Sequence, residues 1–104
     1  MLSHYIIVKF KPEYDWKTNL PAIRELFDHA REIKGVDAVY YHETCSDRPN
    51  RAHLAIEMVL TEEALKEYDN SWFHKKWKED YGNTIEQKTI FDTAVDQRSK
   101  LNYD

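Results

Sequence analysis

Four side chains of this sequence, His4, His53, Tyr68 and His74, are of types that move protons. An imidazole titrates near about 6.5 and can accept or give a proton at neutral pH. A phenol can hydrogen-bond a carbonyl oxygen or the negative charge that develops on it. Such a set does acid/base chemistry only if its members converge on one cavity. Whether they do depends on the elements that carry them.

The chain has 104 residues, enough for one domain with a real but modest core. Seven Tyr, four Phe and three Trp are many for this length and should dominate the buried surface. The net charge is −4, with Lys and Arg scattered. That excludes the concentrated basic face a nucleic-acid backbone binder needs. The single cysteine, Cys45, has no partner for an internal disulfide, so a reducing cytoplasm is the simplest setting. No signal-type segment opens the sequence and no apolar stretch is long enough to span a bilayer. Internal repeats and low-complexity stretches are absent.

From His4 to Phe10 the pattern alternates strictly, with His4, Ile6, Val8 and Phe10 on one face and Tyr5, Ile7 and Lys9 on the other. That period is a strand, and Pro12 ends it. Leu20, Ile23, Leu26, Phe27, Ala30 and Ile33 follow at helical spacing, with Pro21 tolerable only in a first turn and Gly35 as the C′ residue. Val36 to Cys45 is a second strand, Ser46 to Arg51 a turn, and Ala52 to Leu60 a third strand. Thr61 is an N-cap, with Glu62 and Glu63 in the first turn of a helix whose inner stripe is Ala64, Leu65 and Tyr68. Asn70-Ser71 interrupts it. A further helix runs from Trp72 to Tyr81, and Thr84 to Thr93 is a fourth strand. Residues 94–104 form a polar C-terminal tail beyond the 1–93 domain.

The order β-α-β-β-α-β predicts an α+β, ferredoxin-like domain: a four-stranded antiparallel sheet with its helices on one face. The first strand, apolar on both faces, leaves the other side of the sheet in need of a cover that the chain has no element to supply. A second copy packing sheet to sheet, at roughly 10 Å, is the economical answer.

Leu2-Ser3-His4-Tyr5-Ile6-Ile7-Val8-Lys9-Phe10-Lys11-Pro12-Glu13 resembles the first strand of the stress-responsive dimeric α/β-barrel (Dabb) domains. Ile33-Lys34-Gly35-Val36 resembles their first-helix exit, and Glu63-Ala64-Leu65-Lys66-Glu67-Tyr68 with His74 their tyrosine-then-histidine stretch. Thr89-Ile90-Phe91-Asp92 resembles their closing strand. The resemblance spans residues 2–93 and implies a homodimeric α/β barrel with a cavity between sheet and helices. In the plant polyketide cyclases of this family, of the olivetolic acid-forming type, a tyrosine and a histidine do the acid/base work and two more histidines line the cavity. These positions fall on Tyr68 and His74, and on His4 and His53. Asp69 and Lys88 stand where those cyclases have apolar walls, and Glu57, on the face of His53 by strand alternation, also replaces an apolar residue. A smaller or more polar ligand is implied.

Taken singly, each residue has a plainer reading beside the catalytic one. If Ser71 is an N-cap, His74 stands at N3, where the helix dipole and burial both favour the neutral base. It can equally be a buried imidazole that bonds a loop. Tyr68 lies six residues earlier, which on one unbroken helix would turn the rings about 240° apart. Only a break at Asn70-Ser71 lets them face one space. Tyr68 can otherwise be a core tyrosine with its hydroxyl at the rim. His4 and His53 share the helix-facing side if Ile6, Val8, Ala55 and Val59 do, and they lie close if their neighbouring strands align them. They too can be a plain structural pair. Ile6, Phe27, Ala55, Asp69, Trp77 and Lys88 complete the expected ligand-binding set. The histidines come from separate elements without a His-x-x-x-His pair, so no metal is expected. No cofactor is expected either. Glu57 and Lys88 are a buried ion pair or surface charges.

Three functions compete. One is a cofactor-independent cyclase, lyase or isomerase acting on a small carbonyl or polyketide-like compound, with His74 as base and Tyr68 as oxygen-binding donor. Another is a non-catalytic, stress-responsive ligand-binding dimer. The third is haem or oxygen chemistry with His74 as an axial ligand.

Overall fold

A computed structural model of the chain describes residues 1–95, so the expected polar tail lies almost wholly outside the described residues. Four strands, β1 (Leu2–Phe10), β2 (Val36–Glu43), β3 (Leu54–Leu60) and β4 (Ile85–Ala94), form one sheet in the order β2-β3-β1-β4. Every neighbouring pair is antiparallel. Helices α1 (Trp16–Asp28), α2 (Glu62–Asp69) and α3 (Trp72–Tyr81) cover one face. The βαββαβ order and its ferredoxin-like topology are those expected from sequence.

The pleat of β1 sends His4, Ile6, Val8 and Phe10 to the helix side, all buried. On β3 the buried set is Leu54, Ile56, Met58 and Leu60. His4 pairs with Met58 and Ile6 with Ile56, so these rows face the helices together. Ala55, Glu57 and Val59 therefore lie on the open face, which corrects the helix-facing assignment of Ala55 and Val59. The even-numbered row holds the larger side chains and takes the core.

The first helix begins four residues earlier than Leu20, at Trp16, because Asp15 caps it. The Asp15 carboxylate accepts from the Thr18 amide at 3.3 Å and from the Thr18 hydroxyl at 2.6 Å. Pro21 thus sits inside the helix and not in its first turn. Its ring is exposed, so the carbonyl left without a donor can turn to water. A single 3₁₀ turn over His29–Glu32 leads to Gly35 at φ +97°. A Cβ there would meet the Thr61 hydroxyl at 2.6 Å. Gly35 is therefore required both by its left-handed backbone and by the close approach of the α2 N-cap. The Thr61 amide donates to the Gly35 carbonyl at 3.0 Å, tying the start of β2 to the start of α2.

The open face carries Tyr5, Ile7, Ala38, Tyr40, Ala55, Val59 and Phe91 around one acidic residue. Tyr40 is 52% and Phe91 53% exposed. Glu57 sits at the centre, where it accepts from the Ser3 hydroxyl at 2.9 Å and bonds His42 Nε2 at 2.8 Å. Burial pushes its carboxyl up, but hydrogen bonds from His42, Ser3 and Tyr5 outweigh that and hold it below its ordinary value. Glu57 and Lys88 do not pair. They lie on opposite faces of the sheet, as their cross-strand partners Tyr5 and Val8 do. Among the described residues no helix is long and apolar enough to cross a membrane.

Candidate active site

The site is built at the junction of α2 and α3. Helix α2 ends at Asp69, Asn70 takes φ −100° and ψ 2°, and Ser71 turns extended at φ −74° and ψ 154°. Ser71 then starts α3. Its hydroxyl accepts from the His74 amide at 3.2 Å and donates to the Tyr68 carbonyl at 2.7 Å. One short side chain thus clamps the last turn of α2 to the first turn of α3. The break brings the two rings together: Tyr68 and His74 stack with centroids 4.5 Å apart and planes 25° from parallel.

His74 has a defined protonation pattern. Its Nδ1 lies 3.0 Å from the Asp69 carbonyl oxygen. A carbonyl only accepts, so Nδ1 carries the hydrogen and, in the neutral ring, Nε2 keeps its lone pair. Burial pushes the imidazole below its ordinary value, and the Lys78 and Lys88 charges add to this. The Asp69 carbonyl bond and carboxylate oppose the shift without reversing it. His74 is thus a neutral ring with a free lone pair near pH 7, the form a general base requires.

Tyr68 is buried, and its hydroxyl is the one buried side-chain polar atom among the described residues without a hydrogen-bond partner. Burial, reinforced by the Asp69 carboxylate, pushes the phenol well above its ordinary value. It stays a protonated donor throughout the neutral range. A buried hydroxyl without a partner costs on the order of 1–3 kcal/mol, so its retention needs an explanation. His4 also neighbours this ring, centroids 5.8 Å apart. Its Nδ1 donates to Asp92 Oδ1 at 2.5 Å. A carboxylate behind Nδ1 fixes the ring's orientation and leaves Nε2 as its other functional atom.

A cavity of about 220 Å³ opens between α2, α3 and the β1–β4 edge of the sheet. Of the residues named from sequence, His4, Ile6, Tyr68, Asp69, His74, Trp77 and Lys88 line it. Lys78 and Ile90 line it as well and were not among those named. Lys78 could have been found, since it follows His74 by one helical turn. Ile90 and Asp92 follow from the register of β4 against β1, where they pair with Ile6 and His4.

Three expected members lie elsewhere. Phe27 is buried behind the site, packed edge-on against Trp77 at 4.9 Å. Ala55 faces the open side of the sheet. His53 stands at the far end of β1 from His4, because antiparallel neighbours set the start of one strand beside the end of the other. Its ring stacks on Trp16 at 5.4 Å and on Phe10 at 6.1 Å. Its Nδ1 accepts from the Phe10 amide at 2.9 Å. Burial and the nearby Lys9 hold it below its ordinary value, consistent with an acceptor that must stay neutral. His53 thus ties the end of β1 to the start of β3. The remaining histidines have partners too: His42 bonds Glu57, and His29 lies edge-on to Trp72 and 3.3 Å from Glu32.

No protein-family model matches the sequence, and no curated protein does so. Solved structures do match in fold. A Dabb family protein with a ferredoxin-like fold from Mesorhizobium loti is 15% identical, with a TM-score of 0.68 over 89% of this chain and 94% of that one. A hydroxynitrile lyase from Passiflora edulis is 10% identical, with a TM-score of 0.73 over 95% and 96%. A dimeric ferredoxin-like protein of unknown function from Thermobifida fusca is 7% identical, with a TM-score of 0.74 over 90% of each chain. The resemblance read from the first strand, the first-helix exit, the Tyr68–His74 stretch and the closing strand is thus met at the level of architecture, and the chain has the ferredoxin-like fold of the Dabb proteins.

Proposed function

We propose that this protein is a homodimeric small-molecule enzyme that works without a cofactor, moving a proton on a small carbonyl compound. The observation that carries the reading is the partnerless, buried Tyr68 hydroxyl beneath a neutral His74 whose Nε2 lone pair is free. A carbonyl oxygen of the substrate supplies the missing partner once a side-chain shift uncovers the hydroxyl, which has no accessible surface here. His74 Nε2 takes the proton next to that carbonyl. The electron pair of the broken C–H bond becomes a carbon–carbon double bond, and the oxygen takes the negative charge. Tyr68 donates to that oxygen and His4 stands beside it, held by Asp92. Return of the proton to a different atom gives an isomerase, and bond formation or cleavage at the carbanion gives a cyclase or lyase.

A lyase exists on this fold in the Passiflora protein, which supports the class of chemistry and not its substrate. The cavity of about 220 Å³ falls below the range of roughly 300–1,000 Å³ usual for drug-sized ligands, which favours a compact substrate. The dimer is supported by the apolar open face and by solved proteins of this fold described as dimeric.

Incubation with a panel of small ketones, aldehydes and oxo acids in D2O, followed by proton NMR, tests the reading. Faster loss of the signal next to a carbonyl, dependent on the protein, is the expected result. Binding without exchange across the panel would leave a non-catalytic ligand-binding dimer instead.

A further inference from the structure

Two lysines, Lys78 and Lys88, line the cavity from different elements. Lys78 follows His74 by one turn of α3, which sets it on the same helix face, about 6 Å further along. Lys88 reaches the cavity from the opposite wall: it pairs with Val8 on the helix-facing row of β4, two residues before Ile90. Both push the His74 imidazole in the same direction, so their charges are felt inside the site. Two other lysines form ion pairs, Lys76 with Asp80 at 2.9 Å and Lys9 with Glu86 at 3.1 Å. Among the described residues neither Lys78 nor Lys88 forms an ion pair. This occurs in a protein with 19 acidic and 15 basic residues, where counterions are plentiful.

The acidic groups nearby are engaged differently. Asp92 is four residues from Lys88 along β4, about 13 Å, and its carboxylate is held by His4. Asp69 lines the cavity too, and its single charge does not balance two lysines. The cavity lining therefore joins the Tyr68–His74 pair and His4 to two cations and one carboxylate.

We infer that Lys78 and Lys88 form a carboxylate subsite and that the substrate is a small oxo-carboxylate, its carboxylate on the two lysines and its carbonyl oxygen at Tyr68. This rests on the acid/base reading of Tyr68 and His74, and it names the class of compound. The same two cations stabilise the charge that grows when a proton leaves the carbon between the two functional groups.

Acetoacetate and its neutral methyl ester serve as matched probes, with binding followed by NMR shifts of the cavity residues. Wild type should bind acetoacetate more tightly than methyl acetoacetate, and less tightly as salt rises. Lys78→Met with Lys88→Met should weaken acetoacetate about 10-fold or more while leaving the ester unchanged. Lys78→Arg with Lys88→Arg should retain most of the affinity, which separates charge from packing. The inference is overturned if the ester binds as tightly as the acid, if the double Met variant binds acetoacetate like wild type, or if acetoacetate shifts no cavity resonance. Acetoacetate bound through the lysines but never exchanged would sink the acid/base reading and leave the subsite standing. Exchange of neutral ketones with no preference for the acid would do the reverse.

Discussion

The Tyr68 phenol lies face to face with the His74 imidazole, centroids 4.5 Å apart, although the two residues are six positions apart in sequence. Ser71 makes this possible by ending one helix and starting the next. Tyr68 carries a buried hydroxyl without a partner, so it is held at a cost to stability. Replacing it should separate stability from function. Tyr68→Phe is expected to raise stability by about 1 kcal/mol, or roughly 4 °C or more in Tm, by removing the unsatisfied group. The same change should abolish proton exchange. Thermal unfolding beside the exchange assay checks both. A lower Tm would mean that the hydroxyl has a stabilising partner and is no vacancy for a substrate.

Ser71 should matter twice over. Ser71→Ala removes an N-cap, a loss of about 1 kcal/mol. It also frees the Tyr68 carbonyl and the His74 amide, which the hydroxyl holds at 2.7 Å and 3.2 Å. The rings should then lose their fixed stacking. Denaturant unfolding measures the first effect, and altered ring-current shifts on His74 report the second. Ser71→Thr, a capping residue, should restore both.

The pH dependence follows from the directions of the shifts. The His74 imidazole is below its ordinary value in the folded protein, so the unfolded chain binds its proton more readily. Its contribution to stability is complete above about 6.5 and is lost as pH falls through the folded value. His53 behaves in the same direction, because burial and the Lys9 charge disfavour its protonated form. Catalysis should show one acidic limb, lying below about 6.5, where His74 takes a proton. Tyr68, pushed upward, should add no basic limb before about pH 10. A pH–rate profile and an NMR titration of His74 should give the same midpoint.

On the open face, Phe91 packs beside Tyr5 at 6.2 Å and is 53% exposed. Phe91→Asp sets a charge on this apolar surface close to Glu57. Sedimentation velocity should show a dimer for wild type and a monomer for the variant. A wild-type monomer at micromolar concentration would remove the proposed sheet-to-sheet assembly.

Gly35→Ala combines a positive φ with a Cβ 2.6 Å from the Thr61 hydroxyl. It should cost about 2 kcal/mol or more, read from the shift of the urea midpoint. The tie between the start of β2 and the start of α2 would be strained without any change in the cavity.

The strands, the order of elements and the Asn70-Ser71 break were legible because each follows from local signals: a period of two, a proline, or a capping residue. The site was legible where a residue's neighbours decide its position, as for His4, Tyr68 and His74. It failed for His53, whose placement depends on register. Antiparallel pairing of β1 with β3 sets His4 opposite Met58 and carries His53 to the far end. The face of β3 was misread because its row Ala55, Val59 looks apolar beside Leu54, Ile56 and Met58, and volume decided which row entered the core. Asp92 escaped notice because its place beside His4 appears only once β4 pairs with β1, whereas Lys78, one turn after His74, was within reach of the helical period. The start of α1 was hidden by Pro21, which argues for a boundary that the Asp15 cap overrides.

The claim that His74 is the base working over Tyr68 is tested most directly by His74→Ala in the exchange assay, with and without added imidazole. The account predicts loss of exchange by about 100-fold or more, as expected for a general base, and partial recovery when imidazole enters the space the ring vacated. Exchange by folded His74→Ala at the wild-type rate would contradict it.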